Sequence, residues 1–394
     1  VKRRALASPS LVLFLALFAS QAGVLVLSPI LGDVAADFGV SVAAAGQLRI
    51  LAAPLAAIAA LAASRLLARH SPRALLLAGS VLLAAGSVAS AVAPTFALLA
   101  LAQVPMWGGI ATLIAAGVAA AASWSAPEQR TRTVARALAG PPAAWIVGMP
   151  LIGLVAEIHW RLAFVALPLP AALLAVLALA ARPADRPIAG TGVALTSFLR
   201  RADARRWALG ELAANSAWAG TLVFSGALFT ELYGMSSATT GAVLAAVAVA
   251  YLAGNQWAGR AQPSRARRAM LEGSLAAAVA VALTWAVTPS VVVTVVLFAV
   301  TAALAASRTV AGTVFGFTVA GDRGSEVGAV RAVTTQTGYL IGSLVGGAAL
   351  AIGGFGLLAV AFGGLFLAST LPYLRVRGPF RPNVLATAPE AGRG

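Results

Sequence analysis

The chain has 394 residues, of which 60% are hydrophobic and 10% charged, with a mean hydropathy of +0.91. A soluble core of that size needs far more polar surface, so the main solvent of this chain is lipid. Zero cysteines and only two histidines, His70 and His159, exclude disulfides, thiolate metal sites, cysteine nucleophiles and a histidine metal cluster.

Twelve apolar stretches read as membrane spans, near residues 10–31, 43–67, 74–93, 96–122, 134–156, 162–181, 207–230, 238–258, 270–287, 290–317, 328–352 and 355–375. Each is close to the ~20 residues that a bilayer crossing needs. Lys2, Arg3 and Arg4 precede the first run, which is longer than the apolar core of a signal peptide and is expected to stay as span one. Several connections are very short, such as Ala93-Pro94-Thr95 and Thr288-Pro289, so consecutive spans form tight antiparallel pairs. The longest connection, 182–206, carries Pro183, Pro187, Gly190 and Gly192, then Arg200, Arg201, Arg205 and Arg206. It divides a first six-span bundle (1–181) from a second (207–375), and residues 376–394 read as a tail with little order.

Apart from Arg49, Arg161 and Arg308, the cations gather at every second connection. That sorting is the positive-inside pattern of a polytopic membrane protein and places both termini and the central loop in the cytoplasm. The net charge of +16 is therefore topology and attraction to anionic lipid, not a nucleic-acid-binding stripe. Arginine outnumbers lysine by 27 to 1, a bias that suggests a bacterial source and hence the cytoplasmic (inner) membrane.

The halves repeat at an offset of 195: Gly39-Val-Ser41-Val-Ala43-Ala-Ala-Gly46 aligns with Gly234-Met-Ser236-Ser-Ala238-Thr-Thr-Gly241. The register continues through Arg65/Arg260, Arg73/Arg268 and Arg136/Arg331. Parallel repeats of six spans are one of the transporter architectures.

Span five contains Gly148-Met-Pro150-Leu-Ile-Gly153, followed by His159-Trp160-Arg161-Leu-Ala-Phe164. With the 6+6 repeat and the basic central loop, these residues resemble the major facilitator superfamily. The group most similar is the twelve-span drug:proton antiporters and arabinose-efflux-like permeases. The resemblance implies an all-α fold of two six-helix pseudo-repeats. Gly140, Ala144 and Gly148, like Gly338, Gly342 and Gly346, recur every fourth residue, which gives smooth faces for close packing or for rocking of the halves. After span two the superfamily carries a basic loop with one acid that latches the cytoplasmic side. Here Arg69 and Arg73 keep the basic positions, while Ala68 and Ser71 replace the acid and a glycine. Span four also lacks the family's proton-coupling arginine in Gln103-Val-Pro105-Met-Trp107-Gly108.

In a 6+6 transporter, spans one, four, seven and ten line the central cavity. Candidate lining residues are Gln21 and Ser28 on span one, Gln103 and Trp107 on span four, Asn215 and Trp218 on span seven, and Arg308 on span ten. Trp107, Trp145, Trp218 and Phe224 together would line an aromatic cavity; core packing is the plainer reading of each ring, and bridging amides that of both glutamines. Ionisable groups at this depth each need a reason. Glu211 is either a proton carrier or an interfacial carboxylate paired with Arg205 or Arg206. Asp33 is a second candidate proton carrier. Arg308 balances Glu211, attracts an anionic substrate group, or snorkels to the interface. Arg49 pairs with Asp33 or Asp37, and Trp160 and Trp285 serve as interfacial anchors.

No phosphate-binding loop and no nucleophile–base–acid set is present in the sequence, which argues against an ATP motor or an enzyme. The expectation is a monomeric secondary transporter without cofactor or metal. It exports small amphipathic or apolar molecules across the bilayer by alternating access, with the resemblance implying proton coupling. Uptake of a sugar or other metabolite on the same fold, and a non-transporting sensor or scaffold, are the alternatives.

Overall fold

The computed structural model describes residues 8–51, 54, 55, 58, 62, 66, 69–124, 136, 137, 139–183, 185, 195–258, 265–320 and 324–374. Among these residues every regular element is helical. Nine helices there are long and apolar enough to cross a membrane. Span one is Pro9–Phe38, with a break at Val26; spans three and four are Pro72–Ala91 and Phe96–Ser123. Span six is Leu162–Ala180, and spans seven to ten are Ala202–Tyr233, Ser237–Ala258, Ala266–Ala286 and Val291–Ala320.

The ninth, Glu326–Leu374, has 49 residues. At 1.5 Å per residue that is about 74 Å, more than twice the ~30 Å hydrocarbon core. It is two spans, because Gly353 (φ −139°, ψ 17°) and Gly354 (φ 61°, ψ −157°) leave helical geometry between them. This is the boundary expected between spans eleven and twelve. Span five is the shorter apolar helix Gly140–Ala156. Span two begins as Val42–Gly46 and tightens into a 3-10 turn at Gln47–Leu51. Pro54 follows and offers no N–H to the Ile50 carbonyl, which explains the tightening. Much of the remainder of this predicted span lies outside the described residues, as do Arg65, Ala68, Arg260 and the tail from 375.

Local chemistry sets the boundaries. Ser8, Ser71 and Thr95 accept the backbone N–H of Leu11, Ala74 and Leu98, capping three helix starts. Gly39 (φ 62°) ends span one and Gly234 (φ 60°) ends span seven, both in the left-handed region that favours glycine. Two residues on, Ser41 caps Ala44 and Ser236 caps Thr239. The repeat at an offset of 195 is therefore visible as two equivalent cap–turn–cap corners.

Several elements exceed their expected limits. Span one runs to Phe38 rather than Leu31, because Asp33 and Asp37 find partners and do not stop the helix. Span six breaks at Leu167, the residue before Pro168, where proline disfavours helical backbone. The central connection is shorter than expected, since it holds a turn of helix at Leu195–Leu199 and span seven already begins at Ala202.

Spans of the two halves meet at the end opposite the arginine-rich connections, and they meet backbone to backbone. A Cβ on Gly226 of span seven would overlap the Ser28 carbonyl of span one. One on Gly153 of span five would overlap Ser237 of span eight, and one on Gly241 of span eight would overlap Met149. Gln47 reaches across from span two to donate to the Ser343 carbonyl on span eleven at 2.9 Å. By contrast, Gly140 packs on Phe14 and Phe18, while Gly338, Gly342 and Gly346 pack on Asn215, Ser216 and Phe224. Those smooth faces join helices inside each half rather than lying between the halves.

Because the seal depends on absent side chains, Gly226→Val should pry it open. A single cysteine at Val34, which is fully buried in the native protein, should then react with a membrane-impermeant thiol reagent. In the parent it should stay protected, and equal reactivity in both would refute the seal.

Candidate functional site

Below the seal lies a cavity of about 860 Å³, bounded by spans one, four, five, seven, eight, ten and eleven. Its lining runs from the middle of those spans, at Val24, Leu222 and Tyr339, toward the arginine-rich connections, at Pro141, Gln256 and Arg331. Gln21, Asn215 and Trp218 line it. Trp218 stacks on Tyr251 with ring centroids 5.5 Å apart, and Trp145 lies 5.9 Å from the same ring. Asn215 donates to Thr334 Oγ1 at 3.2 Å. Gln336, Tyr339 and Arg331 of span eleven complete the wall.

Other expected lining residues sit elsewhere. Gln103 is fully buried and donates to Ser90 Oγ at 2.9 Å, bridging spans three and four. Trp107 is packed in the core, 6.4 Å from the Tyr339 ring, and does not line the cavity. Phe224 is buried against Gly46 and Gly346. Ser28 is buried at the seal. Trp160 and Trp285 are buried too, Trp285 stacked on Phe355 at 6.0 Å, so neither ring is presented to lipid as an anchor.

Arg308 is not in the lining either; it belongs to a buried charge cluster behind the cavity. Glu211, with no solvent exposure, places Oε1 2.8 Å from Arg308 Nη1 and Oε2 2.6 Å from Arg331 Nη1. Arg308 also donates to Ser274 Oγ (3.3 Å), Tyr373 Oη (3.1 Å) and the Gly210 carbonyl (3.3 Å). Tyr373 lies within 3.3 Å of Glu211 Oε1. Gly312 makes the arrangement possible, because a Cβ there would strike the Glu211 carboxylate. Glu211 thus pairs with neither Arg205 nor Arg206; the latter meets Asp203 at 3.2 Å. Arg308 does not snorkel. Four spans (seven, ten, eleven and twelve) converge on one carboxylate. Arg331, three residues into the expected span eleven but grouped with the cytoplasmic cations, joins the cluster to the cavity.

Arg49 is likewise buried, but Asp33 and Asp37 are not its partners. It donates to Ser28 Oγ at 3.0 Å and lies 5.4 Å above the Tyr339 ring. Asp37 instead pairs with Arg161 at 3.0 Å, and Asp33 accepts from the Ser237 hydroxyl at 2.6 Å. Close by, Glu157 accepts the Ala238 N–H at 2.7 Å. Asp33 and Glu157, both from the first half, thus hold the start of span eight.

At the basic end, Arg69 is exposed, while Arg73 donates Nε to the Leu179 carbonyl at 2.8 Å. Asp185 accepts from the Arg73 backbone (3.3 Å) and from Trp124 Nε1 (2.7 Å), and Arg182 lies 3.8 Å over the Trp124 ring. Burial lowers the Arg182 pKa, opposed by Asp185. The motif glycine Gly148 packs on Leu167, and Pro150 lies inside span five.

Membrane-crossing helices packed around a cavity that is sealed at one end are the arrangement of a membrane transporter. The sequence profile of the Major Facilitator Superfamily matches residues 13–260, and the chain belongs to that family. Its fold resembles a bacterial homologue of the human lysosomal transporter Spinster, captured inward-facing and occupied. The TM-score is 0.69 at 16% identity, over 93% of this chain and 94% of that one. The inward-facing, unoccupied form of that homologue gives 0.64 at 15% identity, over 94% and 95%. No curated protein matches the chain.

Two outcomes follow from the charges. Glu211→Ala should cost about 3–5 kcal/mol, since it strands buried cations, whereas Glu211→Gln should cost less; thermal midpoints in detergent compare them. At the sealed end, hydrogen bonds from the Ala238 N–H and Ser236 hydroxyl hold the Glu157 carboxyl below the ordinary range. Its closed-state pKa is therefore depressed relative to the open state. Its contribution to closure is complete above about pH 4.3 and fades as pH falls through the depressed value. Spin labels on the exposed Ala36 and Thr239 should move apart on acidification. Glu157→Gln should reduce that response, and an unchanged response would take Glu157 out of the closure.

Proposed function

We propose that this protein exports small amphipathic molecules by alternating access, coupled to protons through Glu211. The observation that carries the reading is the pairing of one sealed end with one open cavity, walled by Trp145, Trp218 and Tyr251 and by the amides of Gln21, Asn215 and Gln336. Large aromatic faces with a few polar groups suit an amphipathic solute better than a sugar phosphate or dicarboxylate. With the arginine-rich connections in the cytoplasm, this is the inward-facing state, as in the Spinster homologue. The bundles 1–181 and 207–375 then rock about the seal.

Glu211 suits the coupling role because it is the shared counter-charge of Arg308 and Arg331. Placing a proton on it leaves two arginines without their anion and loosens spans seven, ten and eleven from each other. Asp33 is the second carboxylate in position to sense protons, through Ser237 at the seal. The drug:proton antiporter group remains the most fitting subgroup on the span-five motif Gly148, Pro150 and Gly153.

A compound-sensitivity screen of a deletion strain against a complemented one supplies the test solute. In everted vesicles, its accumulation should be driven by a pH gradient and lost in Glu211→Gln, with the variant still folded and monodisperse. Unchanged pH-driven accumulation would remove Glu211 from the mechanism. Counterflow in oriented proteoliposomes fixes direction, and transport only inward would replace export by uptake.

A further inference from the structure

The cavity lining holds a single formal charge, Arg331, and no carboxylate among the described residues. Its one counter-ion, Glu211, is not free to neutralise it, because the same carboxylate faces Arg308 at 2.8 Å. Two arginines share one glutamate, so the cluster carries one uncompensated positive charge. Among the described residues, those in contact with it include uncharged groups. Tyr373 is a neutral donor and acceptor, Ser274 a hydroxyl, and Tyr251 accompanies Arg331 in the cavity wall. Glu326 lies five residues before Arg331 on the same helix, about 140° around its axis.

A second cation stands at the opposite end of the cavity. Arg49 lies behind Tyr339, buried to 2% exposure, with a serine hydroxyl and an aromatic face as its partners and no carboxylate paired with it among the described residues. Positive charge held in a low-dielectric wall focuses its field into the nearby cavity and concentrates anions there. Arg331 keeps 18% of its side chain exposed, enough to present N–H groups while the other side of the guanidinium stays on Glu211. Guanidinium donors match carboxylate and phosphate oxygens. The aromatic wall of Trp145, Trp218 and Tyr251 would otherwise favour cations, but a cation seated there meets Arg331.

We propose that the transported solute is an organic anion, with a carboxylate or phosphate group on Arg331 and an apolar body against Trp145, Trp218 and Tyr251. This deepens the transport reading by naming the substrate class of the same cavity. It assigns to Arg331, rather than to Arg308, the contact with an anionic group.

The test uses four solutes with one body and different heads: 4-phenylbutyrate, 4-phenylbutyl phosphate, 4-phenylbutylamine and 4-phenylbutanol. Binding to the purified full chain in maltoside detergent is read by thermal shift at constant ionic strength. The two anions should bind about tenfold to a hundredfold more tightly than the alcohol, and the amine should be weakest. Arg331→Gln should bring the anions down to the level of the alcohol, which itself should still bind. Arg331→Lys, which keeps the charge, should preserve the preference for anions and serve as the folding control. Equal binding of all four, preference for the amine, retention of anion preference in Arg331→Gln, or no binding by any of the four would overturn the assignment. None of those results touches the vesicle assay, which uses a solute found by sensitivity rather than by charge, so the transport reading stands or falls separately.

Discussion

Hydrocarbon offers neither hydrogen bonds nor dielectric screening, and each feature of this protein answers to that. Backbone groups in lipid must bond within their own segment, so the crossings are helices and their breaks fall where other groups take over. Side-chain hydroxyls follow the same rule: Ser80, Ser87 and Ser90 return their protons to carbonyls one turn back on span three. The few charges that enter are gathered onto one another rather than scattered. Glu211, Arg308 and Arg331 come from three spans, yet each is satisfied by the others and by Tyr373. Removing Glu211 leaves two buried cations without their anion.

The same constraint divides labour along the membrane normal. At one end the halves approach until glycines meet carbonyl groups and single side chains such as Phe224 and Gln47, and polar contacts such as Asp33 with Ser237 and Glu157 with Ala238 lie at the rim. At the other end the helices part and leave room for rings and amides. The charge cluster sits beside the open part, where spans seven, ten and eleven must shift if the cavity is to close. A carboxylate shared between two cations on different helices ties spans seven, ten and eleven together at that place.

Much of the fold was legible in the sequence because its signals are local. Apolar runs near the length of a bilayer crossing, the glycines at 39 and 234, and the Gly353-Gly354 turn all act within a few residues. The cavity was only half legible. Gln21, Asn215 and Trp218 lie on the expected spans and in the lining, whereas Gln103 and Trp107 lie on an expected span but in the packed core. Span four is apolar nearly all round, so no stripe says which of its faces meets the cavity. Arg331 was missed because it sits among cytoplasmic arginines in sequence, 120 residues from Glu211. Tyr251, Tyr339 and Tyr373 were missed because a tyrosine within an apolar run gives no sign of what its hydroxyl will meet. Arg49 was noticed as out of place, but the expected carboxylates were already engaged by Ser237 and Arg161. Such exchanges of partner are decided by three-dimensional crowding, which sequence spacing does not encode.

The contact of Gly226 with the Ser28 carbonyl has a bearing on how such a protein drifts over generations. A hydrogen atom is the smallest side chain there is, so every inheritable change at that codon adds bulk. Variation there runs one way, toward a pore ajar on the far side. A lineage can relax this closure by chance but can tighten it only by changes elsewhere along the seam.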